Sequence, residues 1–231
     1  MRKYHEQLAR HETRRCLHRF IPQGLTDWLR LRRFRRLYPQ SIVTVSSRVQ
    51  DGADIGRGVV IRNSVVSSSS FIGRFTTIGE NCRLAGLGRI SIGQFCSIGP
   101  DCSIRSDNHR LDRISTYPFN QIEDGGAGTE KDYEAESVSI GNDVWLGEGV
   151  TILPGATIGD GCVIAARSVV SRGEYPSFSI IAGIPGKVIR TRIPAESIAA
   201  IQADPWWNES EDQIFGELSS ELTRSVDKHE S

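Results

Sequence analysis

The stretch "IGNDVWLGEGVTILPGATIGDGCVIAARSVV", Ile140 to Val170, keeps a period of six. Ile140, Leu146, Ile152, Ile158, Ile164 and Val170 are all aliphatic, and glycine follows directly at Gly141, Gly147 and Gly159. The position four after each aliphatic residue is small: Val144, Val150, Ala156, Cys162 and Ser168. Six residues are too few for a strand and a helix but enough for one short strand and a turn. A unit that short buries nothing alone, so it must stack on its neighbours to make a continuous core. The stretch therefore predicts a parallel β-helix.

Working outward, the same beat returns at Ile72, Ile78, Leu84 and Ile90, then at Ile92, Ile98 and Ile104, and more weakly at Val49, Ile55 and Ile61. Val59, Thr76, Cys82, Cys96 and Cys102 hold the small position. Four of the five cysteines fall there, which makes them small core hydrophobes. Their even spacing lacks the clustered ligands of a metal site, and no metal is expected.

The 231 residues suit one sizeable domain with appendages. Apolar content of 38% with 23 glycines fits a thin core with many turns. A net charge of zero gives no electrostatic argument for nucleic acid. The charge is uneven, however: residues 1–40 hold 11 Lys/Arg against 3 Asp/Glu, and residues 195–231 hold 2 against 9. The basic end reads either as attraction to anionic lipid or polymer, or as a solvated helix face or pairing between the two tails.

Arg, Leu, Phe and Trp at helical spacing, closed by Pro39, predict a basic helical extension over residues 1–41. The β-helix follows over 42–194. A helical tail spans 195–231, with Pro194 and Ser197 as start signals and disorder expected in its last residues. With no apolar leader and no run of membrane-spanning length, a soluble, reduced, cytoplasmic protein is expected.

Between residues 105 and 137 the beat stops. A long excursion from a solenoid costs little stability and typically carries binding chemistry. Its middle, "QIEDGGAGTEKDYEAES", reads as a flexible acidic tip, and its first third, "SDNHRLDRISTYPFN", holds His109. The other histidines, His5, His11, His18 and His229, lie in the tails. A zinc site of the γ-carbonic anhydrase kind needs three histidines and is excluded by the one here. From the residues alone, His109 is either a catalytic base or an exposed or capping side chain.

"NHRLDRISTYPF", the hexads quoted above, "IAGIPGKVIRTRI" and the "WW" at Trp206–Trp207 together resemble the xenobiotic acetyltransferase branch of the hexapeptide-repeat acyltransferases. That branch includes the type B chloramphenicol and streptogramin acetyltransferases, and the resemblance covers about residues 49–207. It implies an all-β solenoid, a left-handed β-helix of triangular section with three hexads per coil and roughly five coils here. It also implies acetyl-CoA as co-substrate, a homotrimer with shared sites, and His109 as the catalytic histidine.

The chemistry agrees with that assignment. A neutral alcohol attacks a thioester poorly, and imidazole, with an ordinary pKa near 6.5, can take its proton and return it to the leaving thiolate. No Ser/His/Asp set or His-activated Cys appears, so direct transfer is expected. Tyr117 and Phe119 read as an acceptor surface or as packing that anchors the loop. Asp107 and Asp112 would orient the acceptor or cap turns.

By the resemblance, Trp145 flanks the pantetheine arm, which would run along coil edges near Gly147 and Ala165. Lys187, Arg190 and Arg192 would meet the phosphates; otherwise they are the solvated end of the last coil. Ile184-Pro185-Gly186 stands where the family usually has Asn-Pro-Ala.

The leading expectation is an acetyl-CoA-dependent O-acetyltransferase acting on a saccharide hydroxyl of a surface-polysaccharide or lipopolysaccharide precursor. The basic extension favours it by suggesting peripheral contact at the inner face of the membrane. The alternative acceptor is a chloramphenicol- or streptogramin-type antibiotic. A non-catalytic β-helix assembly module is the rival from another class, and it would have no need of the histidine loop.

Overall fold

The computed structural model describes residues 23–120 and 132–225. Residues 121–131 of the expected flexible tip, the helical reading of residues 1–22 with its three histidines, and the end of the tail, 226–231, lie outside the described residues.

Most of the chain is a stack of short parallel strands on three faces. The first face runs 42–43, 60–61, 77–78, 97–98, 145–146, 163–164 and 179–183, and ends on the antiparallel strand Gly186–Thr191. The second holds 48–49, 65–66, 83–85, 103–105, 151–152 and 169–170. The third holds 54–55, 70–72, 90–92, 138–140, 156–158 and 173–175. The chain visits them in turn, so the faces close into a three-sided prism. Ile61, Ile78, Leu84, Ile92, Ile104, Leu146, Ile152, Ile158 and Ile164 fill its axis and are completely buried.

Counted on the first face, the prism makes seven turns rather than the roughly five expected. The first coils keep aliphatic residues on the axis at Val43, Val49, Ile61 and Val66, but hydroxyls line the interior beside them. Ser47, Ser64, Ser67 and Ser70 are buried, and they are satisfied locally. Ser64 Oγ donates to the Gly79 carbonyl at 2.8 Å, and Ser67 and Ser70 bond each other at 2.9 Å. Such pairing removes most of the cost of burying a hydroxyl. The spacing from Ile61 to Val66 also drops to five, which breaks the count.

The corners leading into the first face use left-handed backbone at Gly58, Phe75, Phe95, Asp143, Gly161 and Phe178. The rings of Phe75 and Phe178 lie against Gly58 and Gly161, where a Cβ would collide with them. Cys82, Cys96, Cys102 and Cys162 are buried free thiols, as the small-position reading has them. Burial pushes Cys96 up to about 12.

Helix α1, Gln23–Leu37, covers the N-terminal coil through buried Phe34. After the last coil, helix α2, Ala195–Ala203, leads to Trp206 and Trp207. Trp206 packs on Phe95 with ring centroids 4.9 Å apart, and Arg74 donates to the Trp207 and Glu209 carbonyls. No described helix is long and apolar enough to cross a membrane.

Candidate active site

The excursion leaves the second face after Arg105 and returns on the third at Val138. Its stems cross over Gly88, where a Cβ would sit 2.7 Å from the carbonyl oxygens of Ser106 and Glu136. Only glycine lets both stems lie that low. Beyond them, Asp107–His109 pairs antiparallel with Tyr133–Ala135, matching Asp107 to Ala135 and His109 to Tyr133. His109 therefore stands at the outer end of a two-stranded ribbon and is exposed.

The His109 ring packs on Tyr133 with centroids 4.9 Å apart. Its Nδ1 lies 2.9 Å from the Thr116 carbonyl oxygen. A carbonyl can only accept, so Nδ1 carries a proton, and in the neutral imidazole the lone pair then lies on Nε2. The backbone thus fixes the tautomer a general base needs.

Asp132 closes the turn that delivers this carbonyl. Its side chain is wholly buried, and Oδ1 accepts from Asn120 Nδ2 at 2.7 Å and Asn120 N at 3.3 Å, with Arg113 at 3.6 Å. Its other oxygen is buried with no partner among the described residues. The Asp132 carbonyl also receives Arg110 N at 3.4 Å. Sequence reasoning missed Asp132, Thr116 and Tyr133 as parts of the site. Asp132 and Tyr133 lie in the stretch that reads as a flexible acidic tip, which the structure corrects at Tyr133–Ala135, a strand paired with Asp107–His109, and a backbone carbonyl has no side-chain signature.

The predicted acceptor residues share the loop but differ in state. Tyr117 and Phe119 are exposed and meet edge-on, 4.8 Å between centroids. Asp112 is held by Arg110 through bonds of 2.6 and 3.0 Å, and this guanidinium keeps its carboxyl below the usual range. Asp107 is buried and paired with Arg105 at 2.7 Å. Neither acid presents an unpaired carboxylate.

The predicted donor residues gather on and beside the first face. Ser97, Trp145, Val163, Ile180 and Arg190 stand in register across adjacent strands. Trp145 and Arg190 thus share one outward row, three strand spacings or about 14 Å apart. Trp145 is half exposed, and Lys187 projects from the same final hairpin. Gly147 and Ala165 stack at the edge between the first and second faces. Their N–H groups are used by the Ile164 and Ile181 carbonyls at 2.8 Å each, leaving a smooth edge rather than free donors.

Arg192 stands apart from this group. Its Nη2 lies 3.0 Å from Asp143 Oδ2, its guanidinium lies over Phe178, and its Nε is buried. Burial raises the Asp143 pKa, and Arg192 pulls it back. At this coil corner the phosphate contact expected of Arg192 would compete with its pairing to Asp143. Lys187 and Arg190 are exposed cations, and Arg190 Nη1 donates to the neighbouring Thr191 carbonyl at 2.9 Å.

The histidine ribbon emerges at the edge between the second and third faces. That edge lies across the prism from the first face, so one chain holds His109 and the Trp145–Arg190 row on opposite sides.

Comparison with known proteins agrees with this architecture. The bacterial transferase hexapeptide (six repeats) pattern matches residues 137–172. A probable macrolide acetyltransferase of Lysinibacillus sphaericus is 42% identical over 140 residues, 56% of this chain and 75% of that protein. A chloramphenicol acetyltransferase of Agrobacterium fabrum is 33% identical over 173 residues, 65% and 81% of the two chains. A putative colanic acid biosynthesis acetyltransferase of Escherichia coli is 33% identical over 148 residues, 63% and 72%. An N-acyltransferase from Bacillus cereus, solved with dTDP and coenzyme A, superposes with TM-score 0.57 at 19% identity, covering 74% of this chain and 94% of that one. This last likeness speaks to the fold alone, which is the expected left-handed β-helix.

Proposed function

The chain belongs to the hexapeptide-repeat acetyltransferases, in their xenobiotic branch, and from that premise we propose that it O-acetylates a saccharide hydroxyl with His109 as general base. It is an acyltransferase enzyme, with acetyl-CoA as its co-substrate. The observation that carries the proposal is the His109 Nδ1 bond to the Thr116 carbonyl, which in the neutral imidazole puts the basic lone pair on Nε2 of an exposed ring.

In this reading Nε2 takes the acceptor O–H proton as the oxygen bonds to the thioester carbon. The C–S bond breaks, and the imidazolium gives its proton to the departing thiolate. Atoms and charge balance without a covalent enzyme intermediate. Trp145 offers apolar surface to the pantetheine arm, and Lys187 and Arg190 offer cations to the phosphates. Substituting His109→Ala should abolish most release of free thiol from acetyl-CoA in the presence of acceptor. Turnover close to wild type would refute the assignment.

For the acceptor, the exposed Tyr117–Phe119 pair suits a sugar ring, which stacks by one face and bonds polar groups at its rim. The colanic acid relative supports that class. The macrolide and chloramphenicol relatives favour a second reading, an antibiotic hydroxyl. Assaying chloramphenicol, a streptogramin, a macrolide and nucleotide- or lipid-linked sugars side by side separates the two. Efficient turnover of a drug with no sugar accepted would establish the second reading.

The enzyme works as a cyclic trimer in this proposal, each His109 ribbon meeting the Trp145 face of a neighbour. The separation of these groups within one chain supports it, as do Leu111 and Ile114 on the loop, exposed in the single chain. An active monomer in sedimentation would contradict it.

A further inference from the structure

Helix α1 has two faces of different use. Asp27, Arg30, Leu31 and Phe34 recur at three- and four-residue spacing, which sets them on one side. That side is the inner one: Phe34 is buried, the other three are half-buried, and Arg30 Nη1 donates to the Val45 carbonyl at 2.9 Å. Leu25, Trp28, Leu29, Arg32 and Arg36 recur at the same spacing on the opposite side, and all are exposed. Trp28 is 53% exposed, and the Arg32 guanidinium lies 5.3 Å above its ring. The helix carries five arginines against one aspartate.

We propose that this outer face docks on an anionic lipid surface. Apolar side chains facing outward within a cationic rim are the arrangement of an interfacial helix: leucines enter the acyl boundary while basic groups remain at the headgroups. Indole sits well at that boundary, with an apolar body and one polar N–H. Arg32 and Arg36 can keep their stems along the apolar face and their charge in the headgroup layer. Charge complementarity selects an anionic bilayer over a neutral one, each basic residue near it strengthening binding by roughly fivefold. This inference goes beyond the proposed acetyl transfer and holds for either acceptor class.

Co-sedimentation of the full chain with vesicles tests it. Binding should appear with phosphatidylcholine–phosphatidylglycerol vesicles and weaken at high salt. It should fall about tenfold or more on pure phosphatidylcholine. Basic residues in 1–22 share the charge, so the decisive variant alters the apolar face. L25E/W28E/L29E should abolish retention while acetyl transfer to a soluble acceptor is unchanged, and R32E/R36E should weaken retention more than salt-matched controls. Wild-type retention of L25E/W28E/L29E, no retention of the native chain, or equal binding to neutral vesicles would overturn the proposal. So would a smaller solution mass for L25E/W28E/L29E without vesicle binding by the native chain, which would give this face to a second copy.

Discussion

The coils and the histidine loop hold themselves together by different means. In the coils each rung repeats the last. Thr77 N donates to the Cys96 carbonyl, Ser97 N to Val144 and Trp145 N to Cys162, all at 2.9 Å. The second of these rungs closes over the whole excursion as if it were absent. The loop has three paired residues at its base, and beyond them, among the described residues, it rests on a few side chains and isolated backbone bonds. Stability is therefore spread over many equivalent contacts, while the proposed chemistry hangs on a handful of unique ones. Damage to the first should be graded and thermal, and damage to the second should be abrupt and catalytic.

The largest effect should come from the loop. His109→Ala should lower turnover by about 10²–10⁴-fold with unchanged melting, measured by thiol release and calorimetry. A core change should invert that pattern. Ile152→Ala, at a fully buried rung, should cost about 2–5 kcal/mol of stability and leave the surviving folded enzyme active.

Asp132 sits between these extremes. Asp132→Ala frees Asn120 and loosens the turn bearing Thr116, so kcat should drop by up to about 100-fold with little change in KM for acetyl-CoA. Asp132→Asn keeps an acceptor oxygen for Asn120 and should recover part of that loss. An equal fall for both variants would show that the charge, not the closure, matters.

Smaller still, Arg190→Glu should raise KM for acetyl-CoA several-fold and leave kcat nearly intact, because the contact is the same in ground and transition states. A short thioester lacking the nucleotide should not notice the change. Arg192→Ala should instead appear in the melting temperature, since it frees Asp143 at a partly buried corner. The smallest signal is chemical: all four coil cysteines are buried, Cys96 with its thiol pushed up to about 12, so in a Cys16→Ser background native protein should resist maleimide until unfolded.

How much was legible in the sequence follows from the same contrast. Ile140 to Val170 announces the coil because every sixth residue must fill the axis. In the first coils Val43, Val49, Ile61 and Val66 still fill it, but the step from Ile61 to Val66 is five and Ser47 and Ser64 hold the small position as hydroxyls, so the period fades although the fold continues. His109 stood out as the one histidine off the tails. Its support did not, because Asp132 holds Asn120 across twelve positions with no repeat to link them. Nor could the run Lys187–Arg192 show by spacing that its last arginine faces Asp143 at a corner formed more than forty residues earlier.

The final strand turns back on the first face, with Gly186–Thr191 running against Ser179–Gly183. An open parallel solenoid ends in a bare backbone edge of the same polarity as every rung beneath it, a template on which another chain could continue the stack. Reversing the last strand changes the hydrogen-bonding phase of that edge. A second molecule offering a parallel strand finds no matching register, so the hairpin acts as a terminator that keeps the tower finite.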